Sequence, residues 1–181
     1  WSPSTRNNRS ANSGMVAQLT AVDWESLGFQ GQLGGLAFQR DLERLCWEAA
    51  GKTQRAPAQR LVDFMAGDRG RTSKTLPNCS YVPGVVSVNL RELLPHVISD
   101  ALAAGLRTFG KRMPRYLNPD AILIAPESRT SSPVRIPRDR ENLMHPDVNG
   151  LYPCGEGGGY AGGILSAALD GMRVAEAVAT A

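Results

Sequence analysis

The chain has 181 residues, 42% of them hydrophobic and 20% charged, with a formal net charge of +3. That is enough chain for one sizeable core, or for one domain and part of another, and the composition is ordinary for a soluble globular protein. The small positive charge suits an anionic cofactor or substrate and equally an ordinary basic surface, and no apolar run approaches the ~18 residues that spanning a membrane requires.

Residues 1–14, WSPSTRNNRSANSG, are polar and read as a tail or loop. Met15–Val22 alternates weakly and is expected to form a strand, followed by a connector at Gly28–Gly35. Phe38, Leu42, Leu45, Cys46 and Ala49 then recur at helical spacing, with Gly51 as the stop. Pro57 is expected to open a second short helix carrying Leu61, Phe64 and Met65, closed by Gly67. Asp68–Ser80 reads as an exposed loop. Asn89 with Glu92 marks a helix start, and Leu90, Leu93, Leu94, Val97, Ile98, Ala101, Leu102, Leu106 and Phe109 line one face. Pro95 should kink or break that run.

The run Ala121–Ala125, AILIA, has the pattern of a strand buried on both faces. Val134 and Ile136 around Arg135 suggest the start of another strand. The last element is an apolar helix, Ile164–Ala179, with a predicted buried stripe of Ile164, Leu165, Ala168, Leu169, Met172, Ala175 and Val178.

The most informative stretch precedes that helix. Gly155-Glu156-Gly157-Gly158-Gly159-Tyr160-Ala161-Gly162-Gly163 holds six glycines in nine residues. Such a density costs entropy unless the backbone needs positive φ or a close approach. At a helix start, free N–H groups and the positive end of the dipole suit phosphate or another electron-rich group. Gly157, Gly159 and Gly162 satisfy GxGxxG, but a dinucleotide fingerprint should open a βαβ unit with an acidic residue about 20 positions on. Here 19 residues follow Gly162, with no second strand. Two readings remain: a tight turn required for packing, or a ligand contact. Glu156 bears on the second, because a carboxylate repels bare phosphate and accepts well from sugar or ribityl hydroxyls.

Glu127–Pro137, ESRTSSPVRIP, with Gly150–Gly163 and Ser166–Gly171, resembles a family of uncharacterised FAD-dependent dehydrogenases, also called FAD/NAD(P)-binding or NAD-utilising oxidoreductases. Further matches in order are Arg6 with Ala11-Asn12-Ser13, Phe38-Gln39, Ala56–Arg60 with Asp63-Phe64, Tyr81 with Pro83-Gly84, and Leu93-Leu94-Pro95. The resemblance implies an α/β fold, the C-terminal portion of a two-dinucleotide-type FAD-binding fold with a largely helical inserted cap. It implies three parts: residues 1–23 as a strand or loop of the FAD-binding domain or a linker, 24–115 as the inserted cap and substrate region, and 116–181 as the C-terminal part of the FAD-binding domain.

The activity so implied is hydride transfer between FAD and an unidentified small-molecule substrate, with NAD(P)H as partner. Gly155, Glu156, Gly159, Tyr160, Ala161, Gly162, Gly163 and Ile164 would contact the cofactor, with Glu156 on the ribityl chain. No N-terminal βαβ unit with its own GxGxxG is present in these residues, so the adenosine half-site is expected on a missing N-terminal FAD-binding segment. The isolated chain is expected to bind FAD weakly or not at all and to be inactive. The contrasting reading is a truncated, non-catalytic relative whose basic loops hold an anionic partner. The start at Trp1, without Met or a signal-peptide pattern, leads us to expect a fragment or a processed product.

Other chemistry is thin. Glu127, Arg129, Ser131 and Arg135 follow the AILIA strand, and strand ends of α/β sheets are where ligands bind, so these four are candidates for substrate binding; a structural ion pair of Glu127 with Arg129 or Arg135 is the competing reading. Ser128, Thr130 and Ser132 join them as hydroxyl donors or turn caps. Cys46, Cys79 and Cys154 are odd in number and form no CxxC, and with only His96 and His145 they make no zinc site; a reducing, cytoplasmic compartment is expected. Cys154 and His96 read as buried or half-buried structural residues and His145 as a surface one. There is no GxSxG, and the arginine patches lack aromatic interleaving, so neither a serine hydrolase nor a nucleic-acid partner is expected. No residue stands out as a catalytic acid or base.

Overall fold

A computed structural model of the chain describes residues 7–129 and 131–180. Among them, residues 7–20 lie in no helix or strand, and the expected strand over 15–22 is absent. A helix takes its end instead: α1, Ala21–Ser26. The reason is a local cap. The Asp23 carboxylate accepts from both the Thr20 N–H and hydroxyl, at 2.7 and 2.8 Å. The Asp23 N–H closes back on the Thr20 carbonyl. This local cap satisfies two backbone donors at the helix start, the Thr20 and Asp23 N–H groups, and outweighs a weak alternation.

The next helix, α2, runs Gly34–Ala49, and Phe38, Leu42 and Cys46 are buried along it at intervals of four. It stops as its sequence predicts. Gly51 sits at φ +82°, its N–H donates to the Glu48 carbonyl, and the Lys52 N–H reaches the Trp47 carbonyl, the paired bonds of a Schellman ending.

Strand β1, Ala56–Arg60, occupies the place expected for a helix start. It is the middle strand of a mixed three-stranded sheet with order β2-β1-β3, parallel to β2 (Val85–Ser87) and antiparallel to β3 (Ile122–Ile124). A proline preceded by alanine reads as helix N1, yet the residue before proline also favours extended backbone. The missing N–H of Pro57 is tolerated because it falls where β3 ends; the Pro57 carbonyl still accepts from the Ala125 N–H at 3.1 Å. The helix then begins only at Leu61, as α3, Leu61–Phe64. β3 is half-buried rather than covered on both faces, and Ile124 is exposed, because it is an edge strand whose one neighbour is β1.

Pro95 breaks the long helical run into α4, Leu90–Leu93, and α5, His96–Arg112. Asn89 caps α4 by accepting from the Arg91 N–H. The last helix, α6, spans Ile164–Ala179. Among the described residues the architecture is therefore α/β, with six helices and three short strands, and no helix is long and apolar enough to cross a membrane.

The chain divides into two compact units, one made of Trp1–Asp23 and Arg40–Ser128, the other of Trp24–Gln39 and Arg129–Ala181. The first holds the sheet and a core of Ala58, Leu61, Phe64, Leu90, Leu94, Ala103 and Leu106. A polar knot is buried with them. Gln59 donates to the Arg71 carbonyl and to Asn89 Oδ1 and accepts from the Leu90 N–H. Asp63 accepts from Arg71 Nε and from Ser73, whose hydroxyl oxygen takes the Arg60 N–H. These bonds pin the loop 68–80, which lacks regular structure as its sequence predicts but is not exposed throughout: Ser73 within it is buried.

In the second unit Phe38 packs edge-on against Phe29, with ring centres 5.5 Å apart. There α6 departs from expectation in a specific way. Its bounds are those predicted, but the predicted stripe faces water: Ile164 is 95% exposed, Leu165 74%, Met172 62% and Leu169 57%. The side turned inward is Ala167, Asp170, Gly171, Val174 and Ala177, of which Val174 alone is fully buried. Small side chains and one carboxylate dock this helix, and its large apolar residues are left over.

Candidate functional site

Residues 131–137, the later part of the 127–137 motif, meet the glycine turn 155–163 in the second unit. The Ile136 N–H donates to the Gly158 carbonyl at 3.2 Å, and the Tyr160 hydroxyl donates to the Ile136 carbonyl at 2.8 Å. The glycine turn closes on itself as well, through Gly159 N–H to the Glu156 carbonyl and Tyr160 N–H to the Gly155 carbonyl. Gly155 and Gly159 both take positive φ, +67° and +80°. At Gly159 a side chain is excluded twice over, since a Cβ there would lie 2.6 Å from the Val134 carbonyl oxygen. Gly157 and Gly162, by contrast, would place a Cβ in open space. One part of the turn is thus packed against segment 134–135, and Gly157 and Gly162 present bare backbone outward.

The turn runs straight into α6. Gly163 is extended, and Ser166 Oγ accepts its N–H at 3.1 Å, one half of a capping box that glycine has no side chain to reciprocate. The N–H groups of Ile164 and Leu165 at the head of the helix have no intrahelical acceptor, and the positive end of the dipole lies there.

A clamp holds this arrangement from below. Arg138 engages Asp170 of α6 with both terminal nitrogens, at 2.7 and 3.0 Å, and donates to the Pro153 carbonyl. The same Asp170 accepts the Gly155 N–H at 2.9 Å. Both side chains are nearly out of water, 7% and 12% exposed. The Arg138 fork, with the Gly155 N–H in support, holds the Asp170 carboxyl below the usual carboxylate range, against the opposing effect of burial. Asp170 in turn raises the Arg138 guanidinium above its usual value. The guanidiniums of Arg138 and Arg135 lie 3.6 and 4.4 Å from the centre of the Tyr160 ring. The sequence pattern does not single out Arg138 or Asp170, which stand 32 positions apart, one in a charged loop and one amid an apolar helix; no local periodicity links such a pair.

The predicted cofactor residues Gly155, Glu156, Gly159, Tyr160, Ala161, Gly162, Gly163 and Ile164 form one continuous turn and helix head. Glu156 and Gly157 are exposed, while the Gly155 N–H is already committed to Asp170 and the Tyr160 ring to the arginines. Of the four substrate candidates, Glu127 belongs to the first unit and Arg129, Ser131 and Arg135 to the second. Ser128 donates to Glu43 at 2.7 Å and Ser132 to the Val134 carbonyl at 2.8 Å, so both hydroxyls have structural partners. Thr130, and Arg6 of the resemblance, lie outside the described residues.

Three side chains sit differently from expectation. Cys154 is exposed just before the glycine turn, and His96 is exposed at the first position of α5. His145 is half-buried instead, with Nδ1 accepting the Asp147 N–H at 3.1 Å. Among the described residues no group of three or more His, Cys, Asp or Glu is placed to hold a metal ion.

Two comparisons with known proteins bear on this arrangement. Residues 1–130 match the model of a family described as FAD-dependent protein, C-terminal domain-like. An uncharacterised protein of Clostridium beijerinckii is 41% identical over 171 residues, which is 94% of this chain and 31% of that protein. The chain therefore spans about a third of the length of that relative, and the alignment takes in the glycine turn, which lies beyond the family match.

Proposed function

Because this chain belongs to the FAD-dependent protein, C-terminal domain-like family, we propose that it is the C-terminal part of an FAD-dependent oxidoreductase and that residues 155–164 contact the flavin cofactor. The observation that carries the reading is the glycine turn at the head of α6: positive-φ backbone locked by Asp170, followed by bare, outward-facing backbone and a helix start with unpaired N–H groups.

The residues present fit such a group. Glu156, exposed on the turn, offers a carboxylate to the ribityl hydroxyls. The open backbone at Gly157 and Gly162 allows the close approach that a flat or phosphorylated ligand needs. The head of α6 supplies N–H donors and a positive field, which favour negative charge on the pyrimidine edge of a reduced flavin or on a pyrophosphate. The Gly155, Gly159, Tyr160 and Gly163 N–H groups serve Asp170, Glu156, Gly155 and Ser166, so their part is to set the turn, and the donors to the cofactor are the N–H groups of Ile164 and Leu165 at the head of α6. Flavin itself supplies the hydride chemistry, and the protein orients and polarises it.

In this reading 116–181 completes a two-dinucleotide-type FAD-binding domain to which 1–23 contributes a loop or linker, and 24–115 is the inserted cap. The adenosine half-site comes from polypeptide outside these residues. Arg129, Ser131 and Arg135 of the second unit, and separately Glu127 of the first, are the candidates for substrate binding, with NAD(P)H as the electron partner.

The test is the flavin content of the complete gene product. FAD released on denaturation, together with a roughly tenfold weaker FAD affinity in Glu156→Gln, corresponding to about 1.4 kcal/mol, supports the reading. A complete protein that neither carries nor takes up flavin would overturn it and favour the anion-binding module. The 181-residue chain alone should lose added FAD on desalting.

A further inference from the structure

Two loops of the first unit form an open cavity of about 310 Å³, lined among the described residues by Asn8, Arg9 and Ser10 from one segment and by Asn78, Cys79 and Ser80 from another. That volume lies at the lower end of the roughly 300–1,000 Å³ typical of small-molecule sites. Neither segment has regular structure, yet both are fastened. The first is followed by Ser13, whose hydroxyl lies 3.1 Å from that of Tyr116. The second is slung between two anchors. On one side the Ser73 carbonyl, part of the buried polar knot, accepts from the Ser87 hydroxyl at 2.7 Å; on the other the Tyr81 hydroxyl donates to the Gln54 carbonyl at 3.0 Å.

The lining is chemically one-sided. Among the described residues no carboxylate lines the cavity, and its charge is the Arg9 guanidinium. Arg60, Arg71 and Arg91 of the same unit spend their guanidinium groups on the Pro119 carbonyl, Asp63 and Asp100. Arg9 has no hydrogen bond, ion pair or ring contact with a described residue, and neither do the side chains of Asn8, Ser10 and Asn78. An arginine fork offers five N–H donors and matches two oxygens of one anion, each amide adds two donors and an acceptor, and a hydroxyl gives or takes. A carboxylate or phosphate satisfies the fork, and hydroxyl groups on the same molecule satisfy the amides and the serines. A hard metal cation would need anionic oxygens, which this lining lacks.

We propose that this cavity binds a small hydroxylated oxyanion, a carboxylate or a phosphate, through Arg9, with Asn8 and Asn78 as flanking donors. Cys79, half-buried in the wall, is shielded by whatever fills the cavity and so reports its occupancy. The cavity belongs to the first unit and the glycine turn to the second, so anion binding here stands or falls independently of flavin.

The experiment uses the complete protein. Inorganic phosphate and malate are titrated separately at an ionic strength held constant with sodium chloride, and iodoacetamide alkylation of each cysteine is followed by mass spectrometry. At about ten times the Kd of the better anion, Cys79 alkylation should slow about tenfold, with Cys154 unchanged. Arg9→Gln should raise the midpoint of this protection about tenfold, and Asn78→Ala, a second and independent variant, about threefold. The thermal midpoint of the protein should not move in either. Tighter phosphate marks a phosphorylated occupant, and tighter malate a hydroxy acid. No slowing by either anion up to roughly 50 mM would overturn the proposal. So would equal slowing by sodium chloride alone, parallel slowing at Cys154, or a protection midpoint unchanged in both variants.

Discussion

In the first unit hydrophobic pattern and burial coincide, with Phe64, Leu90 and Leu106, one from each of three helices, the largest apolar side chains fully removed from water. In the second unit the most apolar helix keeps its large side chains in solvent, and the structure is organised by directional contacts: the Arg138–Asp170 fork, the Gly155 N–H on Asp170, and two arginines stacked on Tyr160. Even the buried polar groups differ in use. The Gln59–Asp63–Ser73 knot ties a loop onto a core that already exists, whereas Asp170 is itself the point at which α6, the glycine turn and segment 138 are joined. A region that is stable by burial tolerates polar substitution poorly throughout its core. A region held by a clamp should be sensitive at the clamp and indifferent on its outer face.

The largest effects should therefore come from one residue in each unit. Phe64→Ala should destabilise the first unit by about 3–5 kcal/mol through the lost ring and the cavity left behind. Asp170→Ala should cost the second unit a similar amount, about 3–5 kcal/mol, because it strands a guanidinium that is 7% exposed and frees the Gly155 N–H. Urea denaturation followed by amide exchange, unit by unit, checks both. Loss of protection across both units in either variant would show that the contrast between them is not energetic. A smaller effect is expected at Gln59→Ala, roughly 2–3 kcal/mol, because the Leu90 N–H, the Arg71 carbonyl and the Asn89 side chain lose their buried partner together.

How far these features were legible in the sequence follows from the range over which each is determined. The stripe of α2, its Gly51 ending, the Asn89 cap, the break at Pro95 and the bounds of α6 depend on neighbours within a turn or two, and all were readable. β1 was not. Ala56–Arg60 is short, has no β-branched or aromatic residue, carries a proline that reads as a helix opener, and becomes a strand only because Val85–Ser87 and Ile122–Ile124 pair with it from far along the chain. The clamp was invisible for the same reason. The orientation of α6 was misjudged more instructively, since periodicity reveals that a helix has an apolar side and not what lies against it. At the candidate site the glycine turn and its helix were legible because glycine density is a local signal, while the groups that hold the turn, Arg138 and Asp170, were not.

Acid should distinguish the clamp from the packed core. Asp170 and Asp63 both have carboxyls held below the ordinary value, the first chiefly by Arg138 and the second chiefly by Arg71 and Ser73. A carboxyl depressed in the folded state binds fewer protons than in the unfolded chain, so its contribution is present above the unfolded pKa of about 3.9 and is lost as pH falls from there through the lower folded value. The loss should be steeper for the second unit, whose clamp carboxylate faces a buried cation, than for the first, where Arg71 is largely in solvent. Asp170→Asn cannot ionise, so it should be less stable than the parent at neutral pH and converge with it as pH falls through the lowered folded value. Parallel acid curves for parent and variant would mean that the pair adds nothing.

The smallest effect is the most telling for α6. Leu169→Ser removes a large hydrophobe from the middle of an apolar helix, a change that costs about 2–5 kcal/mol at a packed site. In the 181-residue chain the side chain is mostly in water, so the transfer term is already forfeited and the cost should stay within roughly 0.5 kcal/mol, the range of ordinary surface substitutions. The same substitution in the complete protein should cost several times more if the outer face is covered there. Equal and small values in both would mean that the face stays in water, and the exposed apolar side of α6 would then be a permanent property of the second unit.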